Sequence, residues 1–272
     1  MNYPLSPSPM SNTPIVFLSH GGGPMPVLGD PTHQQLIEQL RTLPTRLPRP
    51  RRILVISAHW EASPVKVTTQ RLPGLYYDYH GFPPESYQLA YPVNGDPDWA
   101  ANIIETLAQR GIDAQAEQQR GLDHGVFVPL MLMYPEADIP CLQLSLHPSL
   151  DSELHMAIGV ALRSVVSPDT LVIGSGFSFH NMAEFFRPTE QGQHSNLAFE
   201  QWLEDTLTGS LGEERRQQAL NDWQQAPGAR FCHPREEHLI PLMVCYGIAG
   251  RGADMALQCE VLGKRASQFV WR

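Results

Sequence analysis

The chain has 272 residues, 42% of them hydrophobic and 17% charged, enough to bury a sizeable core in one large α/β domain. Its formal net charge of −9 argues against nucleic acid or an anionic membrane surface as a general partner. No apolar stretch approaches the roughly 20 residues of a membrane span, no signal-like run opens the chain, and the four cysteines form no C-x-x-C pair, so the expected location is a reducing cytoplasm.

Residues 1–13, rich in proline, are expected to form a flexible arm ahead of a single catalytic domain over 14–272. The run Ile15-Val16-Phe17-Leu18-Ser19 reads as a buried strand that delivers His20 into a glycine loop, Gly21-Gly22-Gly23. Asp30 or Thr32 can cap a helix reaching about Leu43. A proline-rich connector with Arg46, Arg49, Arg51 and Arg52 follows, read as a solvated linker rather than a phosphate patch. The second strand, residues 53–57, runs through Ala58 to His59 and Trp60, and residues 65–69 alternate as a third, more exposed strand. Residues 76–84, Tyr-Tyr-Asp-Tyr-His-Gly-Phe-Pro-Pro, are too long and too aromatic for a turn, and such loops often serve as lids.

Asp96 as N-cap and Pro97 at the first helical position predict a helix over 96–110. The turn Gly121-Leu122-Asp123-His124-Gly125 leads into an apolar helix over 126–134, and a strand follows at 139–146. Leu154, Ile158, Ala161, Leu162 and Val165 share one face of a helix over 150–166. A buried strand at 171–174 continues through Ser175-Gly176-Phe177-Ser178-Phe179 to His180. A polar helical region spans about 195–225, broken near 208–212; a helix at 236–246 takes Pro241 in its first turns; residues 255–271 hold one or two short strands. Strands alternating with helices predict an α/β fold, a single domain with a central mixed sheet flanked by helices.

His20, His59 and His180 each stand at or soon after the end of a strand-like run. Open α/β sheets build their sites at such ends, neutral imidazole is the commonest metal-binding side chain, and the nearby glycines let other groups approach closely. A single strand-end histidine is ordinarily structural; together these point to convergence on one metal ion, with His238 as a fourth candidate beside Glu236 and Glu237. His33, His155 and His194 are expected on the surface without a role, and His147 as a structural residue. A dinucleotide fingerprint, a nucleophile elbow and a P-loop are all missing, which leaves serine or cysteine nucleophiles without support.

At these residues the chain resembles the class III extradiol ring-cleaving dioxygenases, in particular the DOPA 4,5-dioxygenase-like group. The similar segments are Ser19-His20-Gly21-Gly22-Gly23-Pro24-Met25, Ser57-Ala58-His59-Trp60, His80-Gly81-Phe82-Pro83, Leu122-Asp123-His124-Gly125, Tyr134-Pro135-Glu136-Ala137-Asp138-Ile139-Pro140, Phe179-His180-Asn181 and Glu237-His238-Leu239-Ile240-Pro241-Leu242. The resemblance implies one α/β domain with a metal held by His20, His59 and His238. His180 would stand beside it as a fourth ligand or as the acid/base, and His124 would hydrogen-bond substrate or dioxygen. It further implies Fe(II), a small aromatic diol and O2 as reactants, and a muconic semialdehyde as product. Trp60, Phe82 and Phe127 are candidates to wall the ring. The wider family uses two histidines and a glutamate, whereas His238 takes the third position here, and an all-imidazole site also suits Zn(II). Two other readings stand beside this one: zinc-dependent hydrolysis with His180 or Glu237 as base, and a binding protein that keeps the scaffold without catalysis. The sequence leaves the particular catechol and the oligomeric state open.

Overall fold

The computed structural model describes residues 12–272, so the arm expected at residues 1–13 lies almost wholly outside the described residues. The strands are β1 (Ile15–Ser19), β2 (Arg52–Glu61), β3 (Val65–Thr68), β4 (Ala114–Glu117), β5 (Cys141–Leu146), β6 (Thr170–Gly176), β7 (Met255–Val261) and β8 (Lys264–Trp271). They form one mixed sheet in the order β4-β3-β5-β2-β6-β1-β8-β7. The inner strands β5, β2, β6 and β1 run parallel to one another, and β8 and β3 join them antiparallel. Every residue of β1, β5 and β6 is buried, which explains the apolar runs at residues 15–18 of β1 and 171–173 of β6, whereas β5 buries Gln143 and Ser145 among its apolar residues.

The register decides where the site forms. Ser19 of β1 pairs with Gly176 of β6, and Ser57 of β2 pairs with Ser175, so β1 and β6 end at one level, beside the point where β2 runs on towards His59. The chain therefore leaves the sheet at neighbouring points on its carboxyl edge, the position where open α/β sheets bind ligands.

Helices α1 (Gln34–Thr42), α2 (Pro97–Gln109), α3 (His124–Met133), α4 (Ser152–Leu162), α5 (Met182–Phe186), α6 (Glu190–Thr208), α7 (Glu213–Asn221), α8 (Ala229–Cys232) and α9 (Ile240–Ala249) cover the sheet. Helices α4 and α9 cross closely because Gly159 and Gly247 face each other's backbones, where any Cβ would collide. Gly174 does the same for α9 against β6, meeting the Pro241 carbonyl and the Cys245 thiol. All four cysteines are buried free thiols. Among the described residues no helix is long and apolar enough to cross a membrane.

Several expectations need correction. Strand β2 continues to Glu61 through a shift in its pairing with β5, so His59 lies within a strand rather than beyond its end. Strand β4, Ala-Gln-Ala-Glu, lacks β-branched residues and gives no strand signal; pairing with β3 makes it a strand. The helix expected from Glu236 begins at Ile240. His33 and His155 are fully buried, not surface residues. His155 spends both nitrogens on backbone: its Nε2 accepts from the His147 amide (3.0 Å) and its Nδ1 faces the Asp151 carbonyl (2.6 Å).

Candidate metal centre

Five histidines meet at the carboxyl edge of the sheet. His20 follows β1, His59 lies in β2, His124 opens α3, His180 follows β6, and His238 precedes α9. The ring centroids of His20 stand 4.8, 5.2 and 5.3 Å from those of His59, His124 and His238. His59 lies 3.9 Å from His124 and 4.9 Å from His238, and His180 stacks on His238 at 3.4 Å. The potential ligand atoms of His20, His59 and His124 lie within 4.8 Å of one another, as do those of His180, Glu237 and His238. His20, His124 and His238 are nearly inaccessible, whereas the side chains of His59 and His180 remain 22% and 21% exposed and mark the open side.

Each ring has a partner at Nδ1. Ser175 Oγ donates to the Gly125 carbonyl, so it accepts from His20 Nδ1 at 3.0 Å. Asp78 Oδ1 takes the His124 amide (3.0 Å) and Nδ1 (2.8 Å), and its other oxygen lies 3.6 Å from His59 Nδ1. Glu237 Oε1 serves both His180 Nδ1 (3.1 Å) and His238 Nδ1 (2.8 Å). These acceptors assign the ring protons of His20, His124, His180 and His238 to Nδ1, and the Asp78 carboxylate draws that of His59 the same way from a longer distance; Nε2 is left with its lone pair, as in histidines that bind metal.

The donor set fits a cation. His20 and His59 point their Nε2 atoms at each other across 3.0 Å. Two lone pairs at that distance must share a proton or a positive ion, and the Nδ1 partners direct the protons outward. Two nitrogens about 2.1 Å from one ion at a right angle would stand about 3 Å apart. Burial, reinforced by the neighbouring imidazoles, holds His20 and His238 well below the ordinary histidine pKa, and burial with His124 does the same for His59. The rings are therefore neutral and ready to ligate at pH 7. Burial alone would raise the carboxyls of Asp78 and Glu237, but the hydrogen bonds from His124 and His180 outweigh it and keep both low.

Behind the rings, Asp123 is fully buried and accepts from Ser57 Oγ (2.7 Å), Gln143 Nε2 and Arg120 Nη2 (3.3 Å). Arg120 also donates to the His59 carbonyl (3.0 Å). Gly125 is needed here, since a Cβ would sit 2.5 Å from Ser57 Oγ. The backbone of His238 reaches β6 only because Gly176 has no side chain, and Phe177 N–H holds the His238 carbonyl at 3.0 Å.

Among the aromatic residues named from the sequence, Phe127 is buried in α3 and Phe82 packs on Tyr79 with centroids 5.4 Å apart. Trp60 lies beneath the Arg120 guanidinium at 5.3 Å. The ring that reaches the cluster is Tyr79, 5.8 Å from His124, its hydroxyl donating to the Ser86 carbonyl (2.6 Å). Sequence reading missed Tyr79, Asp78, Ser175 and the shared role of Glu237. The carboxylates' only signal was adjacency, Asp78 inside the aromatic loop and Glu237 beside His238. His147 meets Ser149 and Ser63, away from the centre. His194 is exposed.

Over residues 9–267 the chain matches the family described as the catalytic LigB subunit of aromatic ring-opening dioxygenase. The chain belongs to this family. It is 39% identical to the dioxygenase tasH of Hapsidospora irregularis, covering 96% of this chain and 86% of that protein. It is 38% identical to the 4,5-DOPA dioxygenase extradiol of Beta vulgaris, over 89% and 88% of the two chains. The Escherichia coli K12 protein of that description is 32% identical over 88% and 86%. In three dimensions it is similar to the uncharacterized protein JW3007 of Escherichia coli K12, with a TM-score of 0.72 and 27% identity, covering 96% of this chain and all of that one. This LigB-family chain is thus an extradiol ring-cleaving dioxygenase, metal-dependent and acting on an aromatic substrate with O2. The hydrolytic reading finds no support in these relatives.

Proposed function

We propose that this chain opens a DOPA-like catechol beside its two hydroxyls, adding both atoms of O2 to give a muconic semialdehyde, and that the working metal is Fe(II) held by His20, His59 and His238. The observation that carries the ligand set is the 3.0 Å approach of the His20 and His59 Nε2 atoms, with the Nδ1 of every ring in the cluster turned to an acceptor. When bound, Fe(II) supplies electron transfer between an electron-rich ring and dioxygen, chemistry that zinc lacks.

The residues divide the remaining work. His180, half open and engaged at Nδ1 by Glu237, has Nε2 free to take a hydroxyl proton from the catechol. Glu237 carries the resulting imidazolium, so no positive charge is left unpaired in a buried place. His124, fixed by Asp78 at two atoms, faces the same space and becomes a hydrogen-bond donor to a developing oxyanion once it has accepted a proton. Phe82, Phe127 and Tyr79 wall the ring, and residues 76–84 cover it. The mutual distances of His20, His59 and His124 favour a second ligand set with His124 in place of His238.

The test is anaerobic reconstitution with Fe(II), then air and a panel of catechols, with oxygen uptake and a yellow ring-opened product as readouts. Uptake lost in His59→Ala and with Zn(II) in place of iron supports the reading. Absence of uptake in protein holding one iron per chain overturns it. Iron retained by His238→Ala but lost by His124→Ala selects the second ligand set.

A further inference from the structure

We propose that His33 is a positioning residue for ring cleavage, acting through the glycine loop that follows His20. The inference rests on the dioxygenase reading above and concerns how the ring's seat is held in shape.

His33 ends a short 3-10 turn, Pro31–His33, and has no exposed surface. Its Nε2 accepts the amide proton of Gly22 at 3.0 Å. An amide can only donate, so Nε2 carries the lone pair and Nδ1 the proton. That proton points to Asp30 Oδ1 at 3.0 Å, and Asp30 is itself fixed by the amide and hydroxyl of Thr32. Burial lowers the pKa of His33, which keeps the ring in this neutral form. The Leu262 amide ties the turn to the β7–β8 hairpin through the Thr32 carbonyl (3.1 Å). The result is a one-way chain, Gly22 N–H to His33 to Asp30, anchored at its far end.

Residues Gly21, Gly22 and Gly23 have no side chains with which to hold a shape, and Gly21 and Gly23 sit at φ +84° and +54°. His33 fills the missing volume on one side. A Cβ at Gly21 would lie 2.9 Å from its Cδ2, and one at Gly22 would lie 3.4 Å from its Nε2. On the other side Phe82 closes in, with Cζ 3.0 Å from a Cβ placed on Gly23. The loop is clamped between the His33 ring and the aromatic wall, so a shift at Gly22 passes directly to Phe82. His20 is held independently, by Ser175 at Nδ1 and by its own amide on the Gly176 carbonyl (3.0 Å). Loss of His33 should therefore spoil the seat of the ring and spare the metal.

The experiment compares His33→Phe, which keeps a ring and removes the acceptor, with His33→Gln, whose amide oxygen can take the place of Nε2. Hydrogen exchange across residues 20–25, iron content, 4-nitrocatechol binding by its absorbance shift, and KM and kcat are measured on iron-loaded protein below its melting range. Expected for His33→Phe is exchange and KM both raised by about ten-fold, the worth of one lost hydrogen bond with some rearrangement, at unchanged iron content. His33→Gln should restore both to within about three-fold of the parent. Unchanged exchange and KM in His33→Phe overturn the proposal, as does a His33→Gln variant as impaired as His33→Phe. A parent protein that binds 4-nitrocatechol but turns over no catechol refutes the ring-cleavage reading alone, and binding and exchange still decide the role of His33. A parent that holds iron and binds no catechol refutes both.

Discussion

Replacing Gly176 by alanine tests whether the placement of His238 governs activity. Gly176 ends β6, and a Cβ there would stand 3.0 Å from the His238 carbonyl carbon and closer still to its oxygen. The strand cannot retreat, because Gly176 is paired with Ser19 and its carbonyl holds the His20 amide at 3.0 Å. The His238 segment must give way instead, by roughly 1 Å, to reach ordinary non-bonded separations. Overpacking of this kind costs about 1–3 kcal/mol. The weakened Phe177-to-His238 hydrogen bond adds about 1 kcal/mol, so the variant should lose about 2–4 kcal/mol of stability. A misplacement of about 1 Å at a reacting site costs on the order of 100-fold in rate, so kcat/KM should fall by about that factor while the protein remains folded. The assay is oxygen uptake well below the melting range, with iron per chain measured on the same sample. Gly212→Ala is the control, since a Cβ there meets nothing within 4 Å at an ordinary φ of −64°. A Gly176→Ala protein with parental iron content and parental rate would refute the assignment of His238 to the metal.

Asp78→Asn keeps an oxygen for the His124 amide but removes the charge that fixes its ring; oxygen-uptake kinetics and iron titration should show a loss of about 10–100-fold in activity or metal affinity. Chelation should lower the melting temperature, because free metal at about 100 times its Kd adds about 2.7 kcal/mol to the folded state; a melt that does not respond to chelator or metal would argue against a metal centre. Two buried sets set the pH dependence of stability in opposite directions. Burial lowers His155 and His233 to about 4, so they remain neutral in the fold while the unfolded chain protonates, and stability is lost as pH falls below about 6.5. Burial raises Glu200 to about 7, so its contribution is full below its unfolded value of 4.5 and is lost as pH rises towards 7. Glu200→Gln removes that loss, and its melting curve should gain about 3 kcal/mol at pH 8 while the acid-side slope steepens; equal profiles for variant and parent would place Glu200 in a more polar setting than its burial indicates.

The legible parts of the fold were those whose burial leaves a mark in composition. Strands β1 and β6 are buried on both faces and carry unbroken apolar runs, at residues 15–18 and 171–173, and α2 advertises itself through Asp96 and Pro97. Strand β4 and the end of β2 were illegible because pairing, not propensity, makes them strands. His33 was misread for a related reason. Its neighbours Thr32 and Gln34 are polar, so nothing local reports that the Gly22 amide needs an acceptor.

The same logic separates what was visible of the centre from what was hidden. Histidines after apolar strands can be read in one dimension, because the strand end and the ring are adjacent in the chain. The atoms that make those rings usable cannot. Asp78 lies 46 residues from the ring it fixes, and Ser175 lies 155 from His20. Their effect is also collective. Burial first, and the crowded neighbouring imidazoles after it, disfavour the charge that protonation of any one ring would bring, and so His20, His59 and His238 are held well below the ordinary histidine value. That crowding would leave the lone pairs unpaired in a low-dielectric place unless a cation sat among them. Asp78 and Glu237 resolve the orientation by holding the protons of His124, His180 and His238 on the outer nitrogens, and Ser175 does the same for His20. Glu237 serves both His180 and His238 through a single oxygen, so loss of that one carboxylate would unsettle two rings of the centre at once.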